Sequence, residues 1–142
     1  MRPVEVLMVE DNRGDVVLVE AAIEKAGLPY QVTVVSDGAE AVEFLHRRGK
    51  HAESSQPDLI MLDLKLPRKN GCEVLDEIRI DPLLAKTPLV LLSSSKSELK
   101  RARSYGLPDE CYLEKPSTYL GFVELVQAIE VFRDKAVKDN QS

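Results

Sequence analysis

Short apolar runs alternate along the chain with stretches whose apolar residues recur at helical spacing. VEVLMV (4–9) is mostly apolar and stops at Glu10. From Asp15 to Ala26, the residues Val16, Val19, Ala22, Ile23 and Ala26 fall on one face of a helix, which Gly27 and Pro29 then end. YQVTVV (30–35) is β-branched and strand-like, and Ser36-Asp37-Gly38 leads into a helix carrying Ala41, Val42 and Leu45. Residues 47–58 are polar and predict a loop longer than the usual two to six residues of such a connection. LIML (59–62) predicts a third strand, and Gly71 opens a helix that turns Val74, Leu75 and Ile78 inward and closes near Asp81-Pro82. PLVLL (88–92) predicts a fourth strand, 97–105 a short basic helix, and ECYLE (110–114) a fifth strand stopped by Pro116. A last helix carries Phe122, Leu125, Val126 and Ile129, leaving 133–142 as a C-terminal tail.

Five strand–helix units without an internal repeat or a linker predict one α/β domain over 1–142, with its core at about 4–132. Strands apolar on both faces and separated by helices imply a parallel sheet covered on both sides. Right-handed crossovers restrict this to a doubly wound, flavodoxin-like sheet, and five strands favour the order 2-1-3-4-5. Strands 1 and 3 are then neighbours, and ligands bind beyond their carboxyl ends, where the strand order reverses.

Charges sit at those ends. In LIMLDLKLP (59–67) a carboxylate, Asp63, interrupts an apolar run, and Glu10 and Asp11 follow the first strand. Any one of these acids could serve as a helix cap, but three of them at two neighbouring strand ends repel unless protonated or bound to a cation. Oxygen ligands without His or Cys suit a hard ion, Mg²⁺ rather than Zn²⁺. The fourth strand ends in Ser93-Ser94-Ser95 and the fifth in Lys115-Pro116. A serine run is usually a loop and a lysine usually a solvated charge. Beside the acids, however, a hydroxyl and an ammonium complete the parts for phosphoryl transfer.

Composition narrows the classes. Hydrophobic residues at 44% and charged residues at 30% suit a soluble globular protein. A net charge of −5 argues against nucleic acid as a main partner. Two cysteines, Cys72 and Cys111, are too few for a disulfide framework and read as small hydrophobes in a reducing cytosol. No run approaches the ~20 apolar residues of a membrane span, so a cytoplasmic protein without membrane attachment is expected.

VEDN, LDLKLPRKNG, LLSS and YLEKP, in this order and spacing, resemble the response-regulator receiver domain of two-component signalling over roughly 4–132. The resemblance implies that Asp63 is the phosphoacceptor, a carboxylate nucleophile taking a phosphoryl group from a phosphohistidine of a sensor histidine kinase. It implies Mg²⁺, or Mn²⁺ in its place, ligated by Asp11, Asp63 and the backbone carbonyl of Lys65, with Glu10 acting through a metal-bound water. Ser93 and Lys115 would bind phosphoryl oxygens, assisted by Ser94. Ser93 and Tyr112 would form the switch, the aromatic packing inward when the hydroxyl moves. Pro67, Gly71 and Pro116 would shape the loops, Gly71 by tolerating unusual backbone angles. The protein would signal rather than act as an enzyme, catalysing only its own phosphorylation and dephosphorylation.

The surface expected to change comprises the fourth helix, fifth strand and fifth helix, with basic Lys96, Lys100, Arg101 and Arg103. A chain ending soon after its last helix leaves no room for an output domain, so output is expected through a downstream protein or onward phosphotransfer. VEDNRGDVVLVEAAI, the long loop before the third strand and DPLLAKTPLVLLSSS look most like single-domain receivers that partner phytochrome-type kinases, many of which form homodimers through the same face. Three features depart from the commonest pattern. Ser93 stands where Thr is frequent, Pro108-Asp109 where small residues are usual, and Lys65 near the path of an attacking water. The main rival is a phosphorylation-independent interaction module on the same fold, against which intact Asp63, Asp11 and Lys115 argue. A nucleotide-binding protein or aspartyl phosphatase is disfavoured, because no glycine-rich phosphate loop occurs and Lys65 replaces the second acid of such a phosphatase.

Overall fold

A computed structural model describes residues 2–46 and 56–140, so most of the polar stretch expected as a long loop lies outside the described residues. Five strands form one parallel sheet in the order β2-β1-β3-β4-β5. They are β1 (Val4–Val9), β2 (Tyr30–Val35), β3 (Leu59–Asp63), β4 (Leu89–Ser93) and β5 (Tyr112–Glu114). The helices between and after them are α1 (Arg13–Ala26), α2 (Gly38–Leu45), α3 (Gly71–Arg79), α4 (Lys96–Ala102) and α5 (Tyr119–Asn140). This is the flavodoxin-like arrangement expected from the hydrophobic pattern.

Strand alternation divides the core into two layers. Leu7, Val9, Ile60, Leu62 and Leu91 face α2, α3 and α4, where Phe44, Val74, Leu75 and Leu99 meet them. Val6, Met8, Leu59, Met61, Val90 and Leu92 face α1 and α5, against Val19, Ile23, Phe122, Val126 and Ile129. Every residue of β3 and β4 is buried, as central strands covered on both sides require, whereas edge strand β2 is mostly half-exposed. Each such aliphatic side chain contributes roughly 1.5–3 kcal/mol relative to exposure. The strand ends that carry Asp63 and Ser93 are therefore held by fully buried strands.

Local chemistry sets the helix limits. Asn12 caps α1 by accepting from the Asp15 N–H, and Gly27 ends it at φ 69°, a left-handed conformation that costs glycine little. Several boundaries differ from expectation. The helix expected over 97–105 stops at Ala102, because 103–105 tighten into a 3₁₀ turn closed by Gly106 at φ 73°. β5 begins at Tyr112, because Asp109–Cys111 form another 3₁₀ turn in which the Cys111 N–H donates to the Pro108 carbonyl. β3 and β4 each extend one residue further, taking in Asp63 and Ser93. The expected C-terminal tail is helical as far as Asn140. Half-buried Phe132 and Val137 continue the apolar stripe there, and Lys138 pairs with Asp134 one turn back at 2.9 Å. Both cysteines are free, and burial pushes the Cys111 thiol up to about 12. Among the described residues no helix is long and apolar enough to cross a membrane.

Candidate functional site

The register of the sheet builds the site. Val9 lies beside Leu62 in the β1–β3 ladder, so Glu10 and Asp63, one residue further along each strand, emerge side by side. Backbone pairing persists past β1, since the Glu10 N–H donates to the Val35 carbonyl at 3.0 Å. On the other flank Asp63 aligns with Leu92 and Ser93 with Glu114, and the Lys115 N–H donates to the Ser93 carbonyl at 2.9 Å. Four strand ends thus deliver Glu10, Asp63, Ser93 and Lys115 to one rim. Glu10, Asp63 and Ser93 are buried, and they are the only buried polar or charged residues among the described residues.

The Lys115 ammonium is the hub. Its Nζ lies 2.8 Å from Glu10 Oε1, 2.9 Å from Asp63 Oδ2 and 2.9 Å from Asp15 Oδ2. Its other contacts outweigh the desolvation that burial imposes, so three carboxylates together raise the affinity of this amine for its proton. Glu10 moves the opposite way from an ordinary paired acid. Burial, then the hydrogen bond and charge of Asp63, push it up to about 7 against the pull of Lys115. Carboxylate oxygens of Glu10, Asp11 and Asp63 lie within 4.8 Å of one another. One ammonium does not neutralise four acids, and an oxygen-only set with two buried members fits a hard divalent cation.

Asp63 is aimed from both sides. Its Oδ1 accepts from the Lys65 N–H at 3.0 Å and its Oδ2 from Lys115. The following loop is braced by Pro67, whose carbonyl accepts from the N–H groups of Lys69 at 2.7 Å and Gly38 at 3.4 Å. Gly71 shapes this loop for a reason other than the one expected. It carries no positive φ; Arg68 does, at 66°. A Cβ on Gly71 would overlap the Asp63 carbonyl and come within 2.6 Å of Leu64 Cα, so the glycine lets α3 start against the acceptor's own backbone. Pro116 packs on α5 in the same manner, 2.6 Å from where a Cβ on Gly121 would lie.

Ser93 is engaged elsewhere. Its Oγ accepts from the Ser95 N–H at 2.9 Å and donates to Glu98 Oε1 at 2.6 Å. Ser94 beside it is exposed. Tyr112 is buried, with its hydroxyl accepting from the Leu107 N–H at 3.0 Å and the Arg103 guanidinium 4.7 Å above its ring. Lys96, Lys100, Arg101 and Arg103 are exposed on or just after α4. Arg101 lines a cavity of about 270 Å³ together with Lys65, Cys72 and Glu98.

Two residues join the expected set. Asp15, four residues after Asp11, supplies the third carboxylate on Lys115; its place in the first turn of α1 was the available signal. Glu98 holds Ser93, and its signal was the spacing S-x-x-E at the head of α4, a capping-box pattern.

The family model for the response regulator receiver domain matches residues 6–130. Response regulator Rcp1 of Synechocystis sp. is 38% identical over 130 residues, 92% of this chain and 88% of that protein. Its Mn²⁺-bound crystal structure superposes with a TM-score of 0.80, covering 92% of this chain and 94% of that one. The phosphorylated cyanobacterial phytochrome response regulator RcpA is 41% identical, with a TM-score of 0.81 over 92% of this chain and 93% of that one. The receiver domain of a Pseudomonas aeruginosa sensor histidine kinase, solved with magnesium coordinated in its active-site cleft, is 28% identical, with a TM-score of 0.70 over 93% and 98% of the two chains.

Proposed function

The chain belongs to the response regulator receiver family, and from that premise we propose that it is a cytoplasmic, single-domain phosphoacceptor whose acceptor is Asp63. The observation that carries this reading is the placement of a buried carboxylate, hydrogen-bonded at both oxygens, against Lys115 and within 4.8 Å of two further acids. An Asp63 oxygen attacks phosphorus in a kinase phosphohistidine, the new O–P bond replaces the N–P bond, and the electron pair returns to the imidazole. Asp11, Asp63 and the Lys65 carbonyl would hold Mg²⁺ or Mn²⁺, with Glu10 acting through a water. The cation would neutralise charge developing on the phosphoryl oxygens. Lys115 stands ready to pair with one of those oxygens while Asp15 keeps it at the rim. Ser93, with Ser94 beside it, binds another once it leaves Glu98.

Similarity to RcpA and Rcp1 supports a phytochrome-type histidine kinase as the phosphodonor. The face formed by α4, β5 and α5 then receives a downstream protein or a second copy of the chain, with Tyr112 beneath it reporting the state of Ser93. Intact mass tests the reading. Wild type and Asp63→Asn are incubated with a small-molecule phosphodonor, with and without Mg²⁺. A gain of one phosphoryl group only in wild type with Mg²⁺ is the expected result. No gain under any condition would leave a docking module on the same fold.

A further inference from the structure

The heads of α3 and α4 carry the same capping pattern, solved differently. At α3, Asn70 and Glu73 form a closed box: Asn70 Oδ1 accepts from the Glu73 N–H at 3.0 Å, and Glu73 Oε1 accepts from the Asn70 N–H at 3.1 Å. At α4 the first half is present, Ser95 Oγ accepting from the Glu98 N–H at 3.2 Å. The second half is open. The Glu98 carboxylate turns to Ser93 Oγ at 2.6 Å, and the Ser95 N–H goes to that same oxygen at 2.9 Å. One hydroxyl therefore sits inside the box, using its proton on the acid and a lone pair on the amide.

We propose that Glu98 is a positioning residue for the switch, exchanging Ser93 for the Ser95 N–H when the Ser93 hydroxyl turns to a phosphoryl oxygen. Departure of Ser93 frees one donor, the Ser95 amide, and one acceptor, the Glu98 carboxylate. These two are the partners that a closed capping box joins, as Asn70 and Glu73 show in this molecule. Neither group is stranded, so moving Ser93 does not carry the cost of an unsatisfied polar pair. The head of α4 thereby has two hydrogen-bonded arrangements of comparable quality, the property a two-state element needs. Without Glu98, Ser93 could still move, but the Ser95 amide would lose its partner each time.

The inference rests on the receiver reading for what draws Ser93 away, though not for the exchange itself, so two experiments separate them. Amide hydrogen exchange at Ser95 is the readout, and helix content of each variant confirms folding. In the ligand-free protein, Ser93→Ala should leave the Ser95 amide protected, because Glu98 closes the box. Adding Glu98→Ala to it should speed exchange roughly tenfold, the loss of one hydrogen bond of about 1.4 kcal/mol. Adding Glu98→Gln instead should retain protection, since Gln also closes such a box. Equal exchange in Ser93→Ala with and without Glu98 would overturn the proposal. In the second experiment, beryllofluoride with Mg²⁺ occupies the phosphoryl position. Ser95 should stay protected in wild type and Glu98→Gln but become exposed in Glu98→Ala; continued protection in Glu98→Ala would overturn the proposal. Failure of wild type to bind beryllofluoride would count against the receiver reading alone, because the ligand-free experiment would stand.

Discussion

The two ends of the sheet treat carboxylates in opposite ways. At the amino end, Asp58 receives two hydrogen bonds from Arg2 at 2.9 Å and one from the Glu5 N–H at 2.9 Å. Glu130 receives Arg133 Nε at 2.7 Å, Arg133 Nη2 at 3.0 Å and the Tyr30 hydroxyl at 2.7 Å. Both acids are held below their usual range: Glu130 chiefly by Arg133, and Asp58 because Arg2 and the Glu5 amide outweigh burial. At the carboxyl end, Glu10, Asp15 and Asp63 gather round one ammonium, Asp11 lies within 4.8 Å of Glu10 and Asp63, and Glu10 is pushed up rather than down. Matched pairs serve the fold. The crowded end has an oxygen-only set that fits a hard divalent cation, and fully buried β3 and β4 hold its like charges together.

Removing the single cation breaks the crowded end most severely. Lys115→Met leaves Glu10, Asp15 and Asp63 without their shared partner and should cost about 3 kcal/mol at pH near 8 without metal. Mg²⁺ should recover most of that loss by binding the folded state alone. Urea unfolding with and without Mg²⁺ measures both. A variant as stable as wild type without metal would mean that the acids do not repel, and the contrast between the two ends would fail.

At the amino end the expected effect is smaller and indifferent to metal. Glu130→Gln weakens two charge-assisted bonds to Arg133 and the bond from Tyr30, costing about 2 kcal/mol at neutral pH. Because Glu130 is held below 4.5 in the fold, its contribution is present above that unfolded value and lost as pH falls through the folded one. Wild type and variant should therefore converge in acid. A gap that persists there, or that Mg²⁺ narrows, would show that this end is not a self-contained set of pairs.

How much of this contrast the sequence carries follows from the range of each interaction. The layers, the strand order and the meeting of Glu10, Asp63, Ser93 and Lys115 were legible because strand periodicity and topology fix them. The partner of each side chain was not. Asp15 on Lys115 and Glu98 on Ser93 depend on rotamers at helix heads, where an acid reads equally well as a cap. Gly71 was legible as a requirement but not as a cause, since a close approach to Asp63 and a positive φ both select glycine. The C-terminal helix was underestimated because its last turns rest on half-buried residues and an exposed ion pair rather than a strong apolar stripe.

The response to pH tests the sign of the crowded end. The folded protein holds Glu10 at about 7 against 4.5 for the unconstrained acid, so between those values the folded state keeps a proton that the unfolded chain gives up. Stability without metal should therefore decline as pH rises through that window, opposite to the contribution of Glu130. Glu10→Gln keeps the shape and an acceptor for Lys115 but has no proton to lose, so its curve should lack this decline. It should therefore be more stable than wild type at pH near 8. Mg²⁺ should reverse the ranking, because wild type then uses the ionised carboxylate that the variant lacks. Parallel curves without metal would mean that Lys115 satisfies Glu10 fully, and that the crowding at this end comes from Asp11 and Asp63 alone.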